Sequence, residues 1–127
     1  MRSLIPLLIT GCAIAGCAKP AEPAGTSYTS ELSGRVAGTA QSCVSNFANE
    51  NLRAMDASTI ALGSGRTIYV NHLAGPCPGL GPLNTIIVDA RDGSQYCRGN
   101  RIRGLEMGAI IPGPTCNLGD WVPYRRP

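Results

Sequence analysis

The sequence predicts a small all-β domain, an antiparallel barrel or sandwich of about five to seven short strands, carried behind an exported N-terminus. Three observations predict it. Short β-branched runs recur at intervals of about 8–12 residues with turn chemistry between them. No convincing long helix interrupts them. Four cysteines, Cys43, Cys77, Cys97 and Cys116, are spread across the same stretch, as in small exported domains that use cross-links to supplement a limited core.

The N-terminus is a leader rather than part of the fold. Met1-Arg2 supplies a positive charge, and Leu4 to Ala15 is an apolar run broken by Pro6 and Gly11. That run has the length of a signal-peptide core and is too short for a mature membrane span. It ends in Ile14-Ala15-Gly16-Cys17, which resembles the bacterial lipobox and makes Cys17 the expected lipidation site. Ile9-Thr10-Gly11-Cys12 is a second lipobox-like stretch, and Ala13-Ile14-Ala15 fits ordinary signal cleavage. Parity favours Cys17, because it leaves an even set of four domain cysteines, whereas either competitor leaves one thiol over. The expected organisation is a signal peptide at 1–16, a lipid-anchored tether at 17–40 and a β domain at 41–127. By resemblance to sorted lipoproteins, Ala18 after the cysteine implies the outer membrane, facing the periplasm. Soluble periplasmic export is the alternative.

The tether is rich in Ala, Gly, Pro, Ser and Thr and cannot bury enough surface to offset chain ordering. About 23 such residues have a root-mean-square reach of roughly 25–30 Å. Removal of Arg2 lowers the formal net charge from +3 to +2, a bias too weak to argue for nucleic acid. The expected partners are the membrane, through the anchor, and an envelope protein, lipid headgroup or polysaccharide.

Within the domain, a helical turn is expected at Cys43–Asn49 and a strand near Leu52–Met55. Asp56-Ala57-Ser58 is turn chemistry, since Asp and Ser side chains bond backbone two residues on. Thr59–Leu62, Gly63-Ser64-Gly65 and Arg66–Val70 form the clearest hairpin. Ile68–Leu80 organises the region: a β-branched strand runs into Gly75-Pro76-Cys77-Pro78-Gly79, whose prolines cannot continue a ladder. Ile86-Ile87-Val88 reads as a strand buried on both faces. The Asp92-Gly93 pair is a hairpin signal that would return Gln95–Cys97 along it. Arg101–Leu105 should place Arg101 and Arg103 on one face and Ile102 on the other. Trp121–Tyr124 is a candidate closing strand.

The cysteine spacing argues against zinc, because it lacks paired ligands such as C-x-x-C and His72 is the single histidine. No cofactor is expected. Two disulfides are the default, and three pairings exist. The nested arrangement, Cys77–Cys97 with Cys43–Cys116, is preferred. Closing a loop of about 74 residues through Cys43–Cys116 would contribute roughly 4 kcal/mol on the chain-entropy model.

A family resemblance runs through the same residues: Cys43-Val44, Tyr69-Val70-Asn71, Cys77-Pro78-Gly79-Leu80, Cys97-Arg98-Gly99-Asn100 with Ile102, and Cys116-Asn117-Leu118-Gly119. Together they resemble a family of small bacterial envelope proteins of unknown function, described as hypothetical proteins or lipoproteins. The match spans about Cys43 to Pro123. It implies an exported, disulfide-linked domain and supplies no activity. Where this chain has Asn100 the family commonly carries Asp, and where it has Asn46 a large aliphatic residue.

Candidate chemistry is sparse. His72 as half of a nucleophilic pair would need a free thiolate, which oxidised cysteines do not offer; a strand-end position is the ordinary role. Asp92 is explained by its turn, and nothing marks Asp89 or Glu106 as a general acid. Arg91, Arg98, Arg101 and Arg103 are candidate contacts for an anionic surface, since Arg suits bidentate phosphate recognition; a charged face that discourages aggregation is the competing role. The function expected is a non-enzymatic binding or structural module. The alternative is an inhibitor of an envelope hydrolase, of lysozyme or protease type, presenting Gly75–Gly79.

Overall fold

The computed structural model describes residues 30–46, 51–91 and 93–127. The expected signal peptide, Cys17, Cys12, residues 47–50 and Asp92 lie outside the described residues. The fold is all-β and sandwich-like, with ten short strands in three antiparallel sheets and two disulfides. The strands outnumber the expected five to seven because several are only two or three residues long.

The largest sheet has the order β1(Val36–Ala37), β10(Trp121–Arg125), β5(Thr67–His72), β4(Thr59–Leu62), β3(Leu52–Ala54). Its centre is the hairpin expected from the sequence, with Leu62 opposite Tyr69 and Thr59 opposite His72. Gly63, at φ +90°, makes the turn in a conformation that side chains disfavour. The closing strand β10 lies beside β5, Trp121 opposite Asn71. Pro123 is tolerated inside it because its carbonyl accepts from Gly38 N–H. Its missing N–H therefore faces the side where β1 has already ended.

Both faces of this sheet are covered, so every residue of β4 is buried. The inner face carries Ile60, Leu62, Trp121 and Asn71, packed under the other two sheets. The outer face carries Ala61, Ile68 and Val70, with Met55, and is covered in part by Leu32 and Tyr124. Leu32 belongs to a helical turn at 30–32. Arg35 fastens this segment by donating to the carbonyls of Gly65 and Arg66, both at 3.0 Å, and Glu31 pairs with Arg53 of β3. Ordered packing thus extends N-terminal to the boundary expected near Gln41. Residues 30–40, which composition reads as part of the tether, contribute a strand and an apolar cover, because one leucine and one arginine suffice to dock them.

The second sheet pairs β2(Cys43–Ser45) with β7(Gln95–Cys97), and the third has the order β6(Thr85–Asp89), β8(Arg101–Leu105), β9(Cys116–Asn117). Three expectations are corrected here. The chain at Cys43–Ser45 is a strand and not a helical turn, since pairing with β7 outweighs its loose helical spacing. β7 does not return along β6: β8 matches β6 over its full length, Thr85 opposite Leu105 to Asp89 opposite Arg101, which leaves the three-residue β7 to β2. Ile86, Ile87 and Val88 are half-buried, not buried on both faces, because β6 is an outer strand of its sheet.

The nested disulfides are corrected as well: the bonds are Cys43–Cys97 and Cys77–Cys116. Cys43 faces Cys97 directly across β2 and β7. Arg98 N–H donates to Ser42 and Asn46 N–H to Ser94, so Cys43 and Cys97 form the non-hydrogen-bonded pair, where Cα atoms come closest; here they are 4.0 Å apart.

Candidate functional site

The Cys77-Pro78-Gly79-Leu80 turn folds inward over β8. Cys77 and Leu80 are buried, Cys77 N–H donates to the carbonyl of Ala57 at 2.7 Å, and Gly79 sits at φ +86° against the backbone of Gly104. Gly104 lies on the same face of β8 as the buried Ile102, and a Cβ there would overlap the Gly79 carbonyl and approach Leu80 N to 2.6 Å. Two backbones are therefore in contact where a side chain would ordinarily stand. Of the loop considered for inhibition, only Gly75, Pro76 and Pro78 are exposed; the cysteine at its centre is a scaffold bond.

The arginines are divided. Arg91, Arg98 and Arg101 line two adjoining shallow concavities of about 380 and 440 Å³ that share Arg91, Gly99 and Asn100. Arg103 lines neither and is half-buried opposite Ile87. Arg98 Nη1 lies 3.3 Å from Asp120 Oδ2, with side chains 62% and 41% exposed, so the pair contributes little stability. Asp89 stands opposite Arg101 across the ladder and lines the second concavity. The concavity floor is a tight turn: Gly99 is at φ +85°, Asn100 N–H donates to the Cys97 carbonyl at 3.0 Å, and Asn100 Oδ1 accepts from Cys97 N–H at 2.7 Å. An Asp at this position would accept the same bond. Asn100 is thus explained as a turn former.

His72 is exposed at the end of β5. All four domain cysteines are oxidised, so none of them offers it a thiolate. Among the described residues no group of three or more His, Cys, Asp or Glu is placed to hold a metal. Trp121 is fully buried core, and its Nε1–H has no hydrogen-bond partner among the described residues.

Sequence reasoning missed three positioning asparagines. Asn71 is fully buried and bonds Gly119. Asn84 donates to the Gly79 carbonyl at 3.0 Å and accepts from Met107 N–H at 3.4 Å. Asn46 donates to the Gly93 carbonyl at 3.1 Å. Each satisfies backbone far away in sequence or across a turn, and no local pattern signals that. Also unforeseen is a group of exposed aliphatic side chains, Leu83, Met107, Ile110 and Ile111.

Fold and site define a disulfide-linked, sandwich-like β domain with an arginine-lined rim. No family model matches the chain, and no curated protein or solved structure does.

Proposed function

We propose that this chain is an exported, lipid-anchored binding module of the bacterial envelope, without catalytic activity, whose arginine rim engages an anionic envelope component. The observation that carries the reading is the convergence of Arg91, Arg98 and Arg101 on adjoining concavities. Arg101 and Arg91 form no salt bridge among the described residues, so their guanidinium groups are available to an anion. The disulfides support an oxidising compartment, and the lipobox-like stretch supplies Cys17 as the anchor.

The test is a pull-down from chemically crosslinked membranes, comparing the native chain with an Arg91→Ala, Arg98→Ala, Arg101→Ala variant. A partner enriched by the native chain and lost with the variant is expected. Recovery of no specific partner, or equal recovery by both chains, overturns the reading. Intact mass of the membrane-extracted protein reports the cleavage site, the lipid on Cys17 and the number of disulfides together.

A further inference from the structure

The exposed aliphatic side chains stand on two loops that are joined by a hydrogen bond. Ile110, Ile111, Leu83 and Met107 are 92%, 79%, 78% and 72% exposed, and they belong to two neighbouring loops. Met107 N–H bonds the side chain of Asn84, next to Leu83. The same Asn84 holds the Gly79 carbonyl, and Gly113 N–H donates to Gly104 at 2.8 Å where the loop rejoins the body. The end of the loop lies against the Cys77–Leu80 turn: a Cβ on Gly113 would come 2.8 Å from the Pro78 carbonyl. Large apolar side chains held outward together mark a contact surface.

We infer that this tip, Leu83 with Met107, Ile110 and Ile111, inserts into the lipid bilayer as a second membrane contact beside the N-terminal anchor. The inference rests on the lipid-anchor reading for its geometry. The tip chemistry is aliphatic, which suits hydrocarbon, and it lacks the Trp, Tyr and Arg that dominate protein–protein hot spots. Glu106 is the one charged side chain in the loop and stands at its base.

The chain length outside the described residues makes the contact reachable. About 12 residues separate Cys17 from Ser30, a span of up to roughly 40 Å when extended. Arg35 fixes the entering segment at the β4–β5 turn, whereas Cys77 leads to the tip from beside Ala57, at the other end of the same strands. The six residues of β5 separate those ends by about 20 Å. Anchor and tip can therefore meet one membrane plane with the domain lying along it. The arginine rim sits at the Arg101 end of β8 and the tip beyond its Leu105 end, so rim and tip are separate surfaces of the domain.

The test is site-specific photocrosslinking in the full chain, expressed in an envelope, with a diazirine-bearing aliphatic residue in place of Ile110 and, separately, of Arg101. Lipid adducts at position 110 should exceed those at 101 by an order of magnitude. With the probe at Leu83, an Ile111→Asp substitution should reduce lipid adducts several-fold. Adducts at 110 to protein alone, or no adducts, overturn the inference. Intact mass separates it from the anchor reading: an unmodified Cys17 with lipid adducts at 110 removes the anchor and keeps the tip contact, and a lipidated Cys17 without such adducts does the reverse.

Discussion

The side-chain amide of Asn71 and the backbone of Gly119 form a reciprocal pair of hydrogen bonds, Nδ2 to the carbonyl and N–H to Oδ1, each 2.8 Å long. An asparagine thereby acts as a ladder partner for a segment that no strand reaches, the Leu118–Asp120 link between β9 and β10. Asn71→Ala leaves both Gly119 groups without their partner, at about 2–4 kcal/mol. Asn71→Asp keeps the accepted bond and loses the donated one unless its carboxyl is protonated. Protonation is thus favoured in the fold, which raises the folded pKa, so the variant should be most stable at low pH and weaken as pH rises. Urea unfolding followed by the fluorescence of Trp121, the single and fully buried tryptophan, measures both effects.

Gly104 should tolerate no side chain. The Cβ of Gly104→Ala meets backbone, which cannot rotate away as a side chain can, and a loss of at least about 3 kcal/mol is expected. Gly65→Ala is the contrast: nothing lies within 4 Å of its Cβ and its φ is not positive, so stability should hold or rise by about 0.4–1 kcal/mol. Thermal unfolding of the two variants side by side decides the point.

The two disulfides should differ in access to reductant. Cys43 and Cys97 are both half-exposed, whereas Cys77 is completely buried. Under limiting reductant, alkylation read by mass spectrometry should label Cys43 and Cys97 first. Their sequence separations of 54 and 39 residues give each bond about 4 kcal/mol on the chain-entropy model. Replacing Cys77 and Cys116 by Ser should cost more than replacing the other pair, because two buried or half-buried hydroxyls also enter the core.

A chain beginning at Gln41 should be less stable than one beginning at Ser30. The shorter chain loses the cover of Leu32, the β1 ladder and the Arg35 bonds to Gly65 and Arg66. The expected difference is on the order of 2 kcal/mol, read from paired denaturant midpoints.

Ile110→Ser with Ile111→Ser should leave stability within about 0.5 kcal/mol of the native chain, since both side chains are already in solvent. Unfolding curves that coincide would separate the tip from the core; a large loss would make it part of the fold.

The sequence by itself determined what is local. The β4–β5 hairpin, the Asp56 turn with Ser58 N–H on Asp56 Oδ1 at 2.7 Å, the alternation of Arg101, Ile102 and Arg103, and the all-β class all follow from period-2 patterning and turn residues acting over a few positions. Three of the four candidate arginines do gather, but spacing could not separate Arg103 from them. Only the tertiary structure decided which strand β7 joins, which cysteines bond, that Leu32 and Arg35 dock on the main sheet, and that Gly104 receives the Cys77–Leu80 turn. The physical reason is range. Propensity and turn chemistry act within a few residues, whereas disulfide partners 39 and 54 residues apart are chosen by competition among ladders for shared edges and by close packing, and neither is encoded in any short stretch of the chain.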